Sequence, residues 1–187
     1  LEESLIETVI ALANAVEARD TYTEDHSARM EDLVVKVCEQ LEFSEEEIQN
    51  MRWAARLHDI GKIGVPDQIL RKPSSLNEEE WIAMRQHPQI GSNILAPITK
   101  MGPVSPIIRS HHEKYDGSGY PDGLSKEEIP LGARILTVVD SYVAMTDDRL
   151  YRKSMGHQQA LKELVNNKGT QFDPEIVDVF LKIIENQ

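Results

Sequence analysis

His111 and His112 stand side by side, and the stretch after them, Glu113-Lys114-Tyr115-Asp116-Gly117-Ser118-Gly119-Tyr120-Pro121-Asp122-Gly123, holds three glycines and a proline. Adjacent imidazoles at the end of a helix, with a flexible loop beyond, have the character of metal ligands at the mouth of a pocket. The chain has six histidines. His26, His58 and His87 also fall at the ends or on the inward faces of expected helices. Only His157, between Gly156 and Gln158, reads as a plain surface residue. Asp59 follows His58 directly, and Asp140 lies in the most apolar stretch, where a carboxylate needs a cation.

Neutral imidazole together with carboxylate oxygen suits iron, manganese, zinc or nickel. Five such histidines and two carboxylates exceed what one tetrahedral ion takes. Two ions sharing a carboxylate are therefore expected, with Asp59 as the natural bridge. A metal pair about 3.5–4 Å apart makes a nucleophile from water at neutral pH and binds a phosphate oxygen. Lys62, one turn beyond His58, would add a cation against the charge that grows in the transition state. Phosphoester hydrolysis is the reaction such a site performs most readily. Each piece alone is weak: His-Asp and His-His pairs arise by chance, His87 before Pro88 suits a helix end, and Asp140 could be a hydrogen-bonded aspartate. Their combination in one helical chain carries the metal-site reading.

The elements that must position these residues read as helices throughout. Leu5, Ile6, Val9, Leu12, Ala13 and Val16 give a broad apolar face over residues 4–18. Asp25 can cap a second helix with Met30, Leu33, Val34, Val37 and Leu41, placing His26 in its first turn. Ser44 and Glu47 form a capping box before Ile48, Met51, Ala55 and His58, whose spacing turns His58 inward, and Gly61 and Gly64 end that helix. Pro66-Asp67 should start a short turn ending near Leu70. Asn77 and Glu80 make a second box before Trp81, Met84 and His87, and Pro88 should break or restart the helix there. Ile107 and Ile108 lie four residues before His111 and His112, so both histidines follow apolar positions inward. Residues 131–145 should form a central helix containing Asp140; the valines there could suggest a strand, but no alternating partner exists for it. Leu161, Leu164 and Val165 mark another helix that Gly169 stops, and Asp173-Pro174 opens the last one.

The bulk numbers fit this picture. At 187 residues and 40% apolar content the chain suits one globular domain with a real core. A net charge of −12 repels nucleic-acid backbone, so a DNA or RNA polymer is not an expected partner. An anionic small substrate would need local positive charge, which bound divalent ions provide. No apolar run approaches a membrane span of about 20 residues, and no membrane contact is expected. The single cysteine, Cys38, excludes an internal disulfide, reads as a core filler and suits a cytoplasmic setting. The chain begins at Leu1, as an excerpt of a longer protein or a processed product would.

Seven stretches together resemble a known family. They are Tyr22-Thr23 with His26-Ser27-Ala28-Arg29; His58-Asp59-Ile60-Gly61-Lys62-Ile63-Gly64-Val65-Pro66-Asp67; His87-Pro88 followed by Gly91; His111-His112-Glu113 through Gly123; Ile129-Pro130-Leu131-Gly132-Ala133-Arg134-Ile135; Val139-Asp140 with Ala144-Met145-Thr146; and Gly169-Thr170-Gln171-Phe172-Asp173-Pro174. In these the chain resembles, over nearly its whole length, the HD-GYP domains of bacterial cyclic-di-GMP phosphodiesterases. The resemblance implies an all-α fold, an HD-type helical bundle with a dinuclear metal site and a Gly-Tyr-Pro lip loop. Residues 1–187 would be a single domain, with 1–20 a connecting helix from an upstream sensor or receiver domain, part of a homodimer contact, or an ordinary packed first helix. The activity implied is hydrolysis of cyclic-di-GMP, a cyclic dinucleotide, to linear pGpG and onward to GMP. The metal ligands implied are His26, His58, Asp59, His87, His111, His112 and Asp140. They would hold two divalent ions, iron or manganese first, with zinc and nickel as alternatives. Asp59 and Lys62 would be catalytic, Lys62 contacting the attacked phosphate or the bridging water. Gly119, Tyr120 and Pro121 would form the substrate lip, with Tyr120 near a guanine, and Arg149 and Arg152 would meet substrate phosphate.

Three positions depart from the family pattern. Trinuclear members carry a Glu where Tyr22 stands, so two metals are expected here. Val143 replaces a second Asp, so a hydrogen bond near the site or substrate is expected to be missing. Leu150 replaces the proline of an Arg-Pro-Tyr-Arg-like segment. Two other readings keep the site: a hydrolase of another nucleotide or cyclic dinucleotide, and a domain that binds the dinucleotide, or a partner, without turning it over. The Gly119-Tyr120-Pro121 loop argues against a generic hydrolase, and Val143 is the one sequence hint of a non-catalytic domain.

Overall fold

A computed structural model describes residues 2–19, 26–147 and 154–185. In chain order the helices are α1 (Glu2–Glu17), α2 (His26–Gln40), α3 (Glu45–Leu57), α4 (Asp67–Leu70), α5 (Glu78–Met84), α6 (His87–Leu95), α7 (Val104–Ser110), α8 (Leu131–Thr146), α9 (His157–Asn166) and α10 (Pro174–Glu185). Short 3-10 turns occupy Ile60–Gly64, Thr99–Met101 and Lys126–Glu128. Among the described residues there is no strand, only an isolated bridge between Lys168 and Phe172. The all-helical expectation therefore holds, and the valines of α8 pack as helix.

α8 is the centre of the bundle. It contacts α2, α3, α7, α9 and α10. Ile135, Leu136, Val138, Val139 and Val143 are fully buried and meet Met30, Val34 and Val37 of α2 in one continuous core. A helix apolar on most of its circumference must be surrounded in this way. Cys38 lies in the same core with no exposure, as a small hydrophobe. No helix among the described residues is long and apolar enough to cross a membrane.

The capping signals are realised where they were expected. Ser44 accepts from the Glu47 N–H while the Glu47 carboxylate accepts from the Ser44 N–H at 2.8 Å, and Asn77 with Glu80 does the same at the start of α5. Asp25, expected to cap α2, lies outside the described residues. Other details differ from expectation. α3 stops at Leu57, before Gly61 and Gly64: His58 is its C-cap, and Asp59 has φ −97° and ψ 3°, outside helical geometry. α5 buries none of its residues, and Trp81 and Ile82 are 44% and 62% exposed. The apolar face of α1 is only partly used: Ile6, Ala13 and Val16 are buried, whereas Leu5 and Leu12 are not.

Two close approaches bring the chemical residues together. A Cβ on Gly61 would lie 1.9 Å from the His87 carbonyl oxygen, so only glycine lets the 60–64 turn press against the start of α6. Across α7 and α8, the Thr137 hydroxyl lies 2.8 Å from the His111 carbonyl and an equal distance from that of Ala133, pinning the end of α7 to the central helix.

Candidate metal centre

The histidines arrive at one place from four helix ends. His26 is the first described residue of α2, His58 caps the C-terminus of α3, His87 opens α6 and His111 caps α7. Helix ends suit this task because the chain turns there and the side chain escapes the crowding of its own helix. His26, His58, His87 and His111 are each 1–2% exposed, and His112 is half-buried.

They sort into two groups. His26, His58 and Asp140 offer ligand atoms all within 4.8 Å of one another, and so do His87, His111 and His112. Asp59 stands between the groups. Its Oδ2 is 3.3 Å from His58 Nε2 and its Oδ1 is 3.4 Å from His87 Nε2. One carboxylate therefore faces one histidine of each group with a different oxygen. Lys62 Nζ lies 2.7 Å from Asp59 Oδ2, brought there by the 3-10 turn.

The hydrogen bonds on the far side of each ring fix which nitrogen faces inward. His58 Nδ1 is 2.8 Å from the Ala55 carbonyl, His87 Nδ1 is 2.8 Å from that of Met84, and His111 Nδ1 is 2.6 Å from that of Ile108. A carbonyl only accepts, so Nδ1 carries the hydrogen and the Nε2 lone pair of a neutral ring points into the site. His87 Nε2 and His111 Nε2 then face each other at 3.4 Å, two acceptors converging on one spot. That arrangement calls for a cation between them. His58 Nε2 and Asp140 Oδ1 are buried and make no hydrogen bond of their own. Asp140 is less enclosed than a core carboxylate, with its side chain 17% exposed and 3.7 Å from His26 Nε2. The donor set is nitrogen and carboxylate oxygen, which fits divalent first-row metals.

The charge states agree with that fit. Burial, then the neighbouring His87 and His58, hold His111 well below its ordinary pKa, and burial and His111 do the same for His112. Burial lowers His87 too, against the pull of Asp59. Burial works against ionisation of Asp59, but Lys62 and then His58 outweigh it and keep the carboxyl well below its usual range. His58 behaves oppositely: burial disfavours its charge, yet Asp59 and Asp140 raise it to about 9. Asp59 is thus ionised and His87, His111 and His112 neutral, the forms a metal binds, whereas His58 must release a proton to bind one.

The lip loop rises from His112. Tyr120 stacks on the His112 ring, centroids 5.0 Å apart and 28° between planes. A Cβ on Gly119 would fall 2.2 Å from the Lys114 nitrogen, so the chain can double back there only without a side chain. Pro121 follows Tyr120 through a cis peptide bond. Glu113, 1% exposed, accepts from the Asp122 and Gly123 N–H groups at 2.7 and 3.1 Å and so closes the loop from beneath. The Tyr115 and Asp116 N–H groups donate to Gln171 and Thr170, which makes the 167–172 turn a brace for the lip.

Four residues that touch this cluster or its loop carry no clear signal in the sequence. A Glu after two histidines, as Glu113 is, carries no signal of its own. Thr137 looked like an ordinary polar position in an apolar helix. Asp147 lies 3.0 Å from His26 Nδ1. Arg85, two residues before His87, holds its guanidinium carbon 5.5 Å from the Tyr120 ring centre and 5.7 Å from that of Trp81. His157 is exposed as expected, though its Nδ1 lies 2.6 Å from the Tyr142 hydroxyl oxygen. Tyr22, Arg149, Leu150 and Arg152 lie outside the described residues.

Residues 11–176 match the HD domain family. The chain belongs to the HD domain family. The HD chain is 43% identical over 186 residues to the cyclic di-GMP phosphodiesterase response regulator RpfG of Xanthomonas campestris, covering 97% of this chain and 49% of that one. It is 40% identical to a cyclic di-GMP phosphodiesterase of Thermotoga maritima, covering 97% and 50%. This HD domain therefore spans about half the length of these relatives. Among solved structures, a cyclic GMP-AMP-specific phosphodiesterase of V. cholerae superposes with a TM-score of 0.73 at 22% identity, covering 97% of this chain and 49% of that one. That likeness shows that the helical fold is shared.

Proposed function

We propose that this HD domain is a metal-dependent phosphodiesterase that hydrolyses cyclic-di-GMP to linear pGpG and onward to GMP. The observation that carries the reading is Asp59, whose two oxygens each face a histidine from a different group at 3.3 and 3.4 Å. Two divalent ions, iron or manganese, would be held by His26, His58 and Asp140 on one side and by His87, His111 and His112 on the other, with Asp59 between. Bound there, such ions polarise a phosphate and make water nucleophilic at neutral pH. The chain's own residues do the rest. His87 and His111 keep their protons on Nδ1 and present Nε2, and His58, raised to about 9, would give up its Nε2 proton to present that nitrogen. Lys62 holds positive charge beside Asp59, where an attacked phosphate would gain negative charge. Tyr120, pushed up to about 12 by burial, stays a phenol and can donate to a substrate at the lip that Gly119 and Pro121 shape. Arg85 adds a cation at that lip, and by the family resemblance Arg149 and Arg152 would meet substrate phosphate, which suits an anionic substrate on a chain of net charge −12.

The matched relatives' names support a cyclic dinucleotide, and the V. cholerae neighbour makes cyclic GMP-AMP the second substrate to test. Exposed Leu5 and Leu12, seven residues apart on α1, support a role for residues 1–20 as a connecting or dimer-forming helix joined to a sensor or receiver domain. A single, buried cysteine, Cys38, suits the cytoplasm.

The test is anaerobic. The protein is loaded with Fe(II) or Mn(II), bound metal is counted per chain, and cyclic-di-GMP is followed by chromatography. About two ions with pGpG or GMP appearing is the expected result. Two ions with intact bound dinucleotide would make the domain a sensor, in keeping with the apolar Val143, and no metal uptake would overturn the reading.

A further inference from the structure

His26 differs from the other inward histidines in how its ring is held. His58, His87 and His111 each lean on a carbonyl three residues earlier. His26 is the first described residue of α2. Its Nδ1 instead lies 3.0 Å from a carboxylate oxygen of Asp147, while its Nε2 faces Asp140 Oδ1 at 3.7 Å. The ring is thus placed between the carboxylates of Asp140 in α8 and Asp147 at its C-cap, seven residues apart. The Asp147 side chain is 11% exposed. As C-cap of α8 its N–H donates to the Val143 carbonyl at 2.8 Å, and its other oxygen receives Arg29 Nη1 at 2.5 Å. Val143, four residues earlier, is fully buried, and its apolar side chain offers no acceptor.

We propose that Asp147 is a positioning residue for the metal ion held by His26, His58 and Asp140. It anchors the Nδ1–H of His26 so that Nε2 presents its lone pair toward Asp140, and its negative charge makes that nitrogen a better donor. This rests on the two-metal reading above. A carboxylate behind a ligating histidine sets ring orientation and basicity, and its loss weakens metal binding about 10–100-fold. The effect belongs to one ion of the pair, because His87, His111 and His112 have no contact with Asp147 among the described interactions.

The experiment is an anaerobic Mn(II) competition titration against a chromophoric chelator, resolving two dissociation constants in the wild type, Asp147→Ala, Asp147→Asn and Arg29→Gln. In Asp147→Ala, one constant should rise about 10–100-fold and the other stay within about threefold. Asp147→Asn keeps an acceptor oxygen but drops the charge, so it should fall between. Arg29→Gln removes the other partner of Asp147 and should leave both constants unchanged. Long-range proton–nitrogen NMR of the Zn(II)-loaded protein supplies a second readout: His26 should coordinate through Nε2 and carry a slowly exchanging Nδ1–H that Asp147→Ala loses. If Asp147→Ala does not fold, the Asn variant and the NMR signature still decide. Unchanged constants in both Asp147 variants, an Arg29→Gln loss equal to that of Asp147→Ala, or coordination of His26 through Nδ1 would overturn the proposal. A wild type that takes up no metal would instead bring down the underlying site.

Discussion

At the residue scale the molecule turns on Asp59 and on which atom each neighbouring group presents. Because Asp59 faces both histidine groups, its loss should differ in kind from the loss of a ligand that serves one group. Asp59→Ala should reduce bound metal from about two ions per chain to none that survive gel filtration, whereas His87→Ala should retain one; metal analysis after desalting separates them. Equal retention in both variants would remove Asp59 as the bridge. In the proposed function Tyr120 would contribute through its ring, stacked on His112, and not through a ligand atom. Tyr120→Ala should raise the KM for the dinucleotide about tenfold or more with both ions retained, and unchanged kinetics would remove the lip role. Cys38 is inert for a stated reason: burial, then Glu47 and Glu39, push its thiol up to about 12 from 9.0. The native protein should resist alkylation at pH 8 and react when unfolded. The sign of the linkage follows: the folded thiol keeps its proton where the unfolded one ionises. Its contribution to stability is therefore complete below pH 9 and lost as pH rises toward 12. Cys38→Ala should flatten that part of the stability profile, as denaturant titrations across this range would show.

At the scale of elements, the site is a convergence of helix ends, and its precision depends on how closely those ends meet. The 60–64 turn meets α6 backbone to backbone at Gly61. Gly61→Ala would set a methyl group 1.9 Å from the His87 carbonyl, which cannot be relieved without moving α6. The expected outcome is destabilisation of about 2 kcal/mol or more, together with loss of metal, since His87 would be drawn away from Asp59. A capping variant is the contrast. Ser44→Ala removes one arm of the box that starts α3, at the far end of that helix from His58, and should cost about 1 kcal/mol with metal binding intact. Urea unfolding with metal analysis of both variants tests whether close approach or helix stability governs the site.

For the whole molecule, the consequence of assembling so many polar groups in the interior is that metal and fold are coupled. Buried Nε2 atoms facing one another, and a buried carboxylate oxygen without a hydrogen bond, oppose folding until a cation joins them. An ion that binds only the folded chain stabilises it by about 2.7 kcal/mol at a free concentration one hundred times its dissociation constant. Mn(II) should therefore raise the melting temperature in a concentration-dependent way, and a chelator should reverse the shift. A melting temperature indifferent to Mn(II) would mean that the interior is complete without it.

Much of this was already readable in the order of residues. Helical periodicity, two capping boxes, Pro88 after His87 and Pro174 after Asp173 are local signals, and local signals survive without a fold because each helix end is decided by its own few residues. The types of the chemical groups were readable for the same reason, since five inward histidines with Asp59 and Asp140 select a class of metal whatever their distances. The tertiary structure alone sorted them into two groups and set Asp59 between, because residues from position 26 to position 140 meet only when α2, α3, α6, α7 and α8 pack. It alone ended α3 early at Leu57 and left α5 unburied, since propensity does not say what lies across from a helix face. And it alone supplied Asp147: Val143 looks like the loss of a polar group when α8 is read as a line, but one helical turn further on a carboxylate reaches His26 across the bundle.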